Sequence, residues 1–241
     1  FRQFAPTTIQ QLQWVPGSEM YSYMKDEALH VGYLKAEMQD KKILTVEELN
    51  GLLGKSDLKK LPVVQWLTTE SFYFEDKNAF TEVNLKMSKA VKLAGYPAEA
   101  ANVDFHKTAR RVAYTKDNNL YATINNAEVT ITSEAANIVS GQSISRNEYG
   151  ISKGTFWSPD GSKLAYYIKD ESNVTDYPII DYTAIPATYR TIKYPMAGGK
   201  SEWVSVGVYD AATAKSIKLK WGKAPLSDQY YLTNLTWSPD N

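Results

Sequence analysis

A hairpin-sized unit repeats along this chain, and it restricts the fold more than any other feature. An aromatic anchor is followed nine residues later by a tyrosine inside a second apolar run. Trp14 leads to Tyr23, Phe105 to Tyr114, and Trp157 to Tyr166; a looser copy runs from Trp66 through Phe72, Tyr73 and Phe74. Between anchor and tyrosine stand turn formers, most plainly Ser158-Pro159-Asp160-Gly161. There proline presets φ and glycine accepts a positive φ, so each unit reads as strand, tight turn, strand.

Further strands follow each hairpin. After Tyr23 come ALHVGYLKA and KKILTV; after Phe74, AFTEVNLKM and AVKLAG; after Tyr114, NLYATI and AEVTITS, joined by Asn125-Asn126 as a hairpin turn; after Tyr166, WVSVGVYDA and SIKLKW. Four short antiparallel strands recurring about every 40–50 residues is the sequence pattern of propeller blades. The expected fold is therefore all-β: a partial β-propeller over 1–241, with four blades at about 8–46, 62–95, 101–140 and 154–222 and another beginning at 231. A chain stopping inside a blade at Asn241 would leave apolar blade faces open, which predicts self-association, as by two halves closing one ring. The anchors Trp14, Trp66, Phe105, Trp157 and Trp237 are expected between adjacent sheets, because they recur once per blade.

Two stretches break the rhythm. Residues 45–61 read as an inserted helix, with Thr45 and Glu48 spaced as a capping box and leucines at helical intervals. Its Gly54-Lys55-Ser56 is not a phosphate loop, because Leu49 stands where the first glycine is required. Residues 170–200 are rich in Tyr and Pro, and read as an extended arm.

Composition excludes several functions. Lys plus Arg and Asp plus Glu number 27 each, so no net field draws the chain to nucleic acid or anionic lipid. No apolar run is long enough to span a membrane as a helix. With no cysteine there is no disulfide framework, thiol nucleophile or thiolate zinc site. No His-Glu-x-x-His or acidic calcium loop occurs, and no cofactor or metal is expected. No Gly-x-Ser-x-Gly elbow occurs, and His30 and His106 both lie at structural positions of the repeat. The chain is expected to catalyse nothing by itself. Phe1 in place of an initiator methionine leaves two origins: removal of a signal peptide, or a start inside a longer protein.

The run RNEYGISKGTFWSPDGSKLAYY, the later IIDYTAIPATYRTIKYPMAGG, the closing YLTNLTWSPD and the helix-like TVEELNGLL together resemble the N-terminal domain of dipeptidyl peptidase IV and prolyl tripeptidyl peptidase. The resemblance implies an eight-bladed propeller capping an α/β-hydrolase domain with a Ser-Asp-His triad, the serine peptidase releasing two or three N-terminal residues after proline. It implies that Glu148, within Arg146-Asn147-Glu148-Tyr149-Gly150, binds the substrate's free α-ammonium, with Arg146 and Asn147 as neighbours. A carboxylate there, held away from water, gains a charge-assisted hydrogen bond. Where many dipeptidyl peptidases carry two adjacent glutamates, this chain has Asn147 then Glu148, nearer the tripeptidyl type. The resemblance further implies a homodimer contact on residues 170–200 and a periplasmic or cell-surface location. The rival reading is a non-catalytic propeller that binds a protein or peptide partner.

Overall fold

The computed structural model describes residues 9–35, 38–55, 57–220, 232 and 234–241, and of Arg146 the backbone only. Two compact units divide the chain, one ending at Gly95 and one beginning at Tyr96.

The first unit holds two four-stranded antiparallel meanders. One comprises β1 (Gln10–Trp14), β2 (Met20–Lys25), β3 (Ala28–Tyr33) and β4 (Lys41–Leu44). The other comprises β5 (Val64–Trp66), β6 (Ser71–Asp76), β7 (Ala79–Asn84) and β8 (Lys89–Gly95). Two-residue turns with both φ values positive, Asp26-Glu27 and Lys77-Asn78, join the central strands, the geometry that matches the twist of a hairpin. Val15, Leu29 and Val31 of the first sheet pack with Val64, Trp66, Phe72 and Phe74 of the second in one buried cluster. Inside it the Trp66 Nε1–H donates to Ser22 Oγ at 2.7 Å. The bond lets a large aromatic be buried without an orphaned donor, which would cost about 1–3 kcal/mol.

Between the sheets lies α1 (Val46–Leu53). The capping box forms as its residues imply: the Thr45 N–H donates to Glu48 Oε2 at 2.7 Å and the Glu48 N–H to Thr45 Oγ1 at 3.3 Å. The helix is shorter than the stretch 45–61, because Gly54 takes φ +64 and closes it with a left-handed cap. Beyond the cap, Asn50 receives the Leu58 N–H and donates to the Leu58 carbonyl, fixing a non-helical return. Ser56 lies outside the described residues.

The second unit begins with another meander, β9 (Ala101–His106), β10 (Arg111–Lys116), β11 (Asn119–Ile124) and β12 (Ala127–Thr130). Asn125-Asn126 forms its tight hairpin turn, with φ of 53 and 64. The remaining sheet contains β13 (Ile138–Ser140), β14 (Thr155–Trp157) and β15 (Lys163–Asp170); after an excursion it is completed by β18 (Trp203–Asp210) and β19 (Lys215–Lys218). The excursion is a separate two-stranded hairpin, β16 (Asp176–Asp181) and β17 (Thr188–Lys193), which occupies the middle of the stretch 170–200. Leu120, Ala122 and Ile124 pack against Leu164, Tyr166 and Ile168 to form the core between this unit's sheets.

The fold is all-β, in four-stranded antiparallel sheets of propeller type with one short helix. No helix among the described residues is long and apolar enough to cross a membrane.

The anchors divide by which face of the strand they occupy. Trp66 is buried, as expected, but Trp14 is 61% exposed, and Phe105, Trp157 and Trp237 are only partly covered. Side chains alternate across a strand. In β1, Gln13 turns towards the second sheet and donates to the Val64 carbonyl at 2.8 Å, so Leu12 and Trp14 face the other way. Where an anchor is tryptophan with a preceding sheet in its own unit, its indole serves as a crosslink. Trp157 donates to the Asp104 carbonyl at 3.1 Å and Trp237 to the Phe156 carbonyl at 2.8 Å, as Trp66 does to Ser22.

Candidate functional site

Glu148 sits on a loop inserted into a strand. The edge of the last sheet is one strand in two pieces: Ser140 pairs with Ile168, and Thr155 resumes the same line opposite Tyr166. The break is bridged by Gly141 N–H to the Tyr167 carbonyl at 2.9 Å and by Tyr167 N–H to the Gly154 carbonyl at 3.0 Å. Residues 142–153 are thus pushed out of a ladder that continues beneath them.

The neck of this excursion is tight. A Cβ on Gly154 would lie closer than 3.0 Å to the backbone of Gln142 and to the Gly141 carbonyl. The neighbouring sheet ties both limbs down. Gln142 donates to the Asp117 carbonyl at 2.9 Å, while Asp104 of β9 takes Lys153 Nζ and Thr155 Oγ1, each at 2.9 Å, on either side of Gly154. Ile144 and Ile151 are buried against Tyr167 and Val206, so both ends of the intervening turn are sunk in core.

Between those isoleucines lies a short 3-10 helix, Ser145–Gly150. Ser145, Asn147, Tyr149 and Gly150 all have positive φ, from 50 to 75, a conformation that non-glycine residues adopt sparingly. Such backbone persists where its surroundings over-determine it, and it gathers at functional sites. Here it displays Glu148 and Tyr149 outward.

The helix forms one wall of a cleft of about 540 Å³. The other walls are Tyr194, Pro195, Met196, Gly198 and Gly199 from the loop after β17, and Ser201 and Glu202 leading into β18. Two carboxylates, Glu148 and Glu202, therefore face one concavity. Glu202 Oε1 accepts the Ser145 N–H at 3.1 Å and Oε2 accepts the Ser201 hydroxyl at 3.0 Å. Burial works to raise its pKa, but bonds from its own N–H, from Ser145 and from Ser201, with the Lys169 charge, outweigh this and hold the carboxyl below the usual range. Glu202 is an anion at neutral pH.

Of the three residues singled out in the sequence, Glu148 lines the cleft. Asn147 is exposed and its Oδ1 accepts from the Ser143 hydroxyl, so it braces the turn. The Arg146 side chain lies outside the described residues. Glu148 is exposed among the described residues, on an outward 3-10 turn. Glu202 and Asp104 escaped sequence reading, because each acts through partners some fifty residues away in sequence and neither carries a motif.

The histidines serve the fold. His106 Nδ1 accepts the Ala109 N–H at 3.0 Å, so Nε2 carries the proton and donates to the Pro159 carbonyl at 3.2 Å. His30 stacks on Tyr23 at 5.4 Å between ring centroids. The Tyr23 hydroxyl donates to Asp40, and this bond, with burial and the Asp40 charge, raises its pKa to about 12. It is a donor at neutral pH, not a base. Among the described residues no three His, Asp or Glu side chains gather as a metal site would require.

Comparison with known proteins supplies the frame for this cleft. Residues 56–241 match the family described as the dipeptidyl peptidase IV N-terminal region. The chain belongs to that family. Among solved structures, a protein described as a dipeptidyl aminopeptidase IV from Bacteroides ovatus superposes with a TM-score of 0.84 at 36% identity, over 97% of this chain and 32% of that one. Porphyromonas gingivalis dipeptidyl peptidase 4 shares the fold at a TM-score of 0.62 and 19% identity, over 90% of this chain and 33% of that one. Curated relatives include the dipeptidyl-aminopeptidase B proteins of Pyrenophora tritici-repentis, 24% identical over 95% of this chain and 28% of the relative, and of Podospora anserina, 27% identical over 54% and 16%. This dipeptidyl peptidase IV-type region thus spans a third or less of the proteins it resembles.

Proposed function

We propose that this region is the amine-anchoring and access-gating part of a proline-specific serine exopeptidase, a dipeptidyl or tripeptidyl aminopeptidase. Catalysis would lie in an α/β-hydrolase domain C-terminal to it in the same protein, and the setting would be periplasmic or at the cell surface. One observation carries the reading: a family member holds the carboxylate of Glu148 in a cleft, on a turn rooted at both ends in core. A protonated α-amine fits that carboxylate through a charge-assisted hydrogen bond. A peptide without a free amine forgoes the bond, and so the same group selects for N-termini.

The test uses the full-length protein with Ala-Pro and Ala-Ala-Pro reporters, each free and N-acetylated. One free reporter should be cleaved and its acetylated form should not, and the better reporter sets the length released. Equal cleavage of acetylated reporters removes the anchoring role. No cleavage of any reporter would favour a non-catalytic propeller that binds a protein or peptide partner.

The β16–β17 hairpin supports a homodimer contact. Tyr182, Ile185 and Tyr189 are 79%, 99% and 72% exposed, with Tyr177 and Ile180 beside them, an apolar display that a solitary hairpin does not sustain in water. The hairpin leaves and re-enters through a bond from the Tyr194 N–H to the Thr175 carbonyl at 3.0 Å, so 176–193 can be replaced by a short Gly-Ser link. Light scattering on the deletion variant should give half the mass of the intact protein. An unchanged mass removes the hairpin from the interface.

A further inference from the structure

Glu202 stands deeper in the cleft than a solvated surface glutamate, and its bonding is unusual for a residue outside any motif. Its carboxylate touches the backbone of Ser145, the first residue of the helix that carries Glu148. A carboxylate offers about four acceptor positions. Donors from Ser145, Ser201 and its own N–H take three of them, so one remains on a residue that lines the cavity.

A second observation is independent of charge. Ser145 lines the same cleft, is 8% exposed, and its Oγ has no hydrogen-bond partner among the described residues. Buried hydroxyls are almost always satisfied, and an unsatisfied one calls for an explanation such as an absent ligand. The cleft is thus lined by an exposed carboxylate, a half-buried carboxylate and a serine whose buried hydroxyl has no partner among the described residues. An –NH₃⁺ group presents three donors and no acceptor.

We propose that Glu202 is the second acidic residue of the ammonium site: it fixes the start of the Glu148 helix through the Ser145 N–H, and with Ser145 Oγ it supplies the acceptors that Glu148 alone cannot give a primary amine. This rests on the amine-anchoring reading and deepens it. The chain then needs no adjacent pair of glutamates. Asn147 stabilises the turn, and the second carboxylate arrives from the strand entry at Glu202. The ligand class narrows accordingly to primary ammonium, since N-methylation removes one of the three donors.

Glu202→Gln separates this role from a purely structural one. The glutamine carbonyl still accepts the Ser145 N–H, so the helix start is retained while the charge is lost. In the full-length protein KM for the better free-amine reporter should rise about tenfold with kcat nearly unchanged. The wild-type preference for the free over the N-methyl reporter should shrink in the variant. Labelling of the serine nucleophile by a fluorophosphonate, which needs no amine site, should match wild type. A KM equal to wild type in a normally labelled Glu202→Gln protein overturns the proposal.

If Glu202→Gln does not label, Ser145→Ala decides in its place. It removes a hydroxyl that bonds to nothing among the described residues, and KM should rise about threefold, the loss of one neutral hydrogen bond; no rise overturns the proposal. Glu148→Gln tells the two readings apart. If it raises KM while Glu202→Gln does not, only the role of Glu202 falls. If Glu148→Gln also leaves KM unchanged, the ammonium reading falls with it.

Discussion

Glu148→Gln in the full-length protein should lower kcat/KM on a free-amine proline reporter by about 10- to 150-fold, the worth of one hydrogen bond to a charged group. The substitution keeps the shape of the side chain and removes its charge. Because Glu148 is exposed on the outward turn, the variant should unfold at the wild-type temperature. The loss should fall mainly on KM, since the amine is bound in the ground state and the transition state alike. Cleavage of N-acetylated reporters, already without the bond, should not change. An equal loss on free and acetylated substrates would mean that Glu148 shapes the site rather than binding the amine.

What the sequence disclosed was whatever is local. A tyrosine nine residues after an anchor, Asn125-Asn126 at a hairpin, and Thr45 with Glu48 at a helix start are each set by turn geometry or by neighbours within a few residues, and each has its place in the structure. The anchors show where that legibility stops. Trp14 and Trp66 occupy equivalent positions in the repeat, yet Trp66 is buried with its indole bonded to Ser22, while Trp14 stands on the far face of the first sheet. Periodicity defines a face; only the packing of whole sheets says which face is covered. The site was half legible for the same reason. Glu148 lay in a recognisable run, but Glu202 enters from the strand after the hairpin, and the bond between it and Ser145 exists only once β15 and β18 are paired. Arg146 and Asn147 are the sequence neighbours of Glu148. On a turn with alternating left-handed residues adjacency does not mean a shared direction, and Asn147 points back to Ser143.

The largest effect on stability is expected from the neck of the excursion, at a residue with no chemistry. Gly154→Ala places a methyl group against the backbone of Gln142 and the Gly141 carbonyl, where no flexible side chain can move aside. Overpacking of this kind costs about 3 kcal/mol at its upper range, and rigid backbone on the opposing side puts Gly154 there. Relief would come only by splaying the two limbs, which would break the Gly141 and Gly154 bonds to Tyr167 and pull Lys153 and Thr155 away from Asp104. Gly150→Ala is the control. Its Cβ meets open space, and the cost is the left-handed φ of +75 alone, about 1–2 kcal/mol. By thermal unfolding of the full-length protein, Gly154→Ala should therefore be clearly less stable than Gly150→Ala. It should also raise KM for free-amine reporters, because the displaced neck carries Ser145 and Glu148 with it. If Gly154→Ala is no less stable than Gly150→Ala, the limbs are free to separate, and the turn that presents Glu148 is held by its buried isoleucines rather than by its neck. If it is less stable but binds the amine normally, the strain is absorbed within the strand edge. In that case Ile144 and Ile151 alone set where the carboxylate stands.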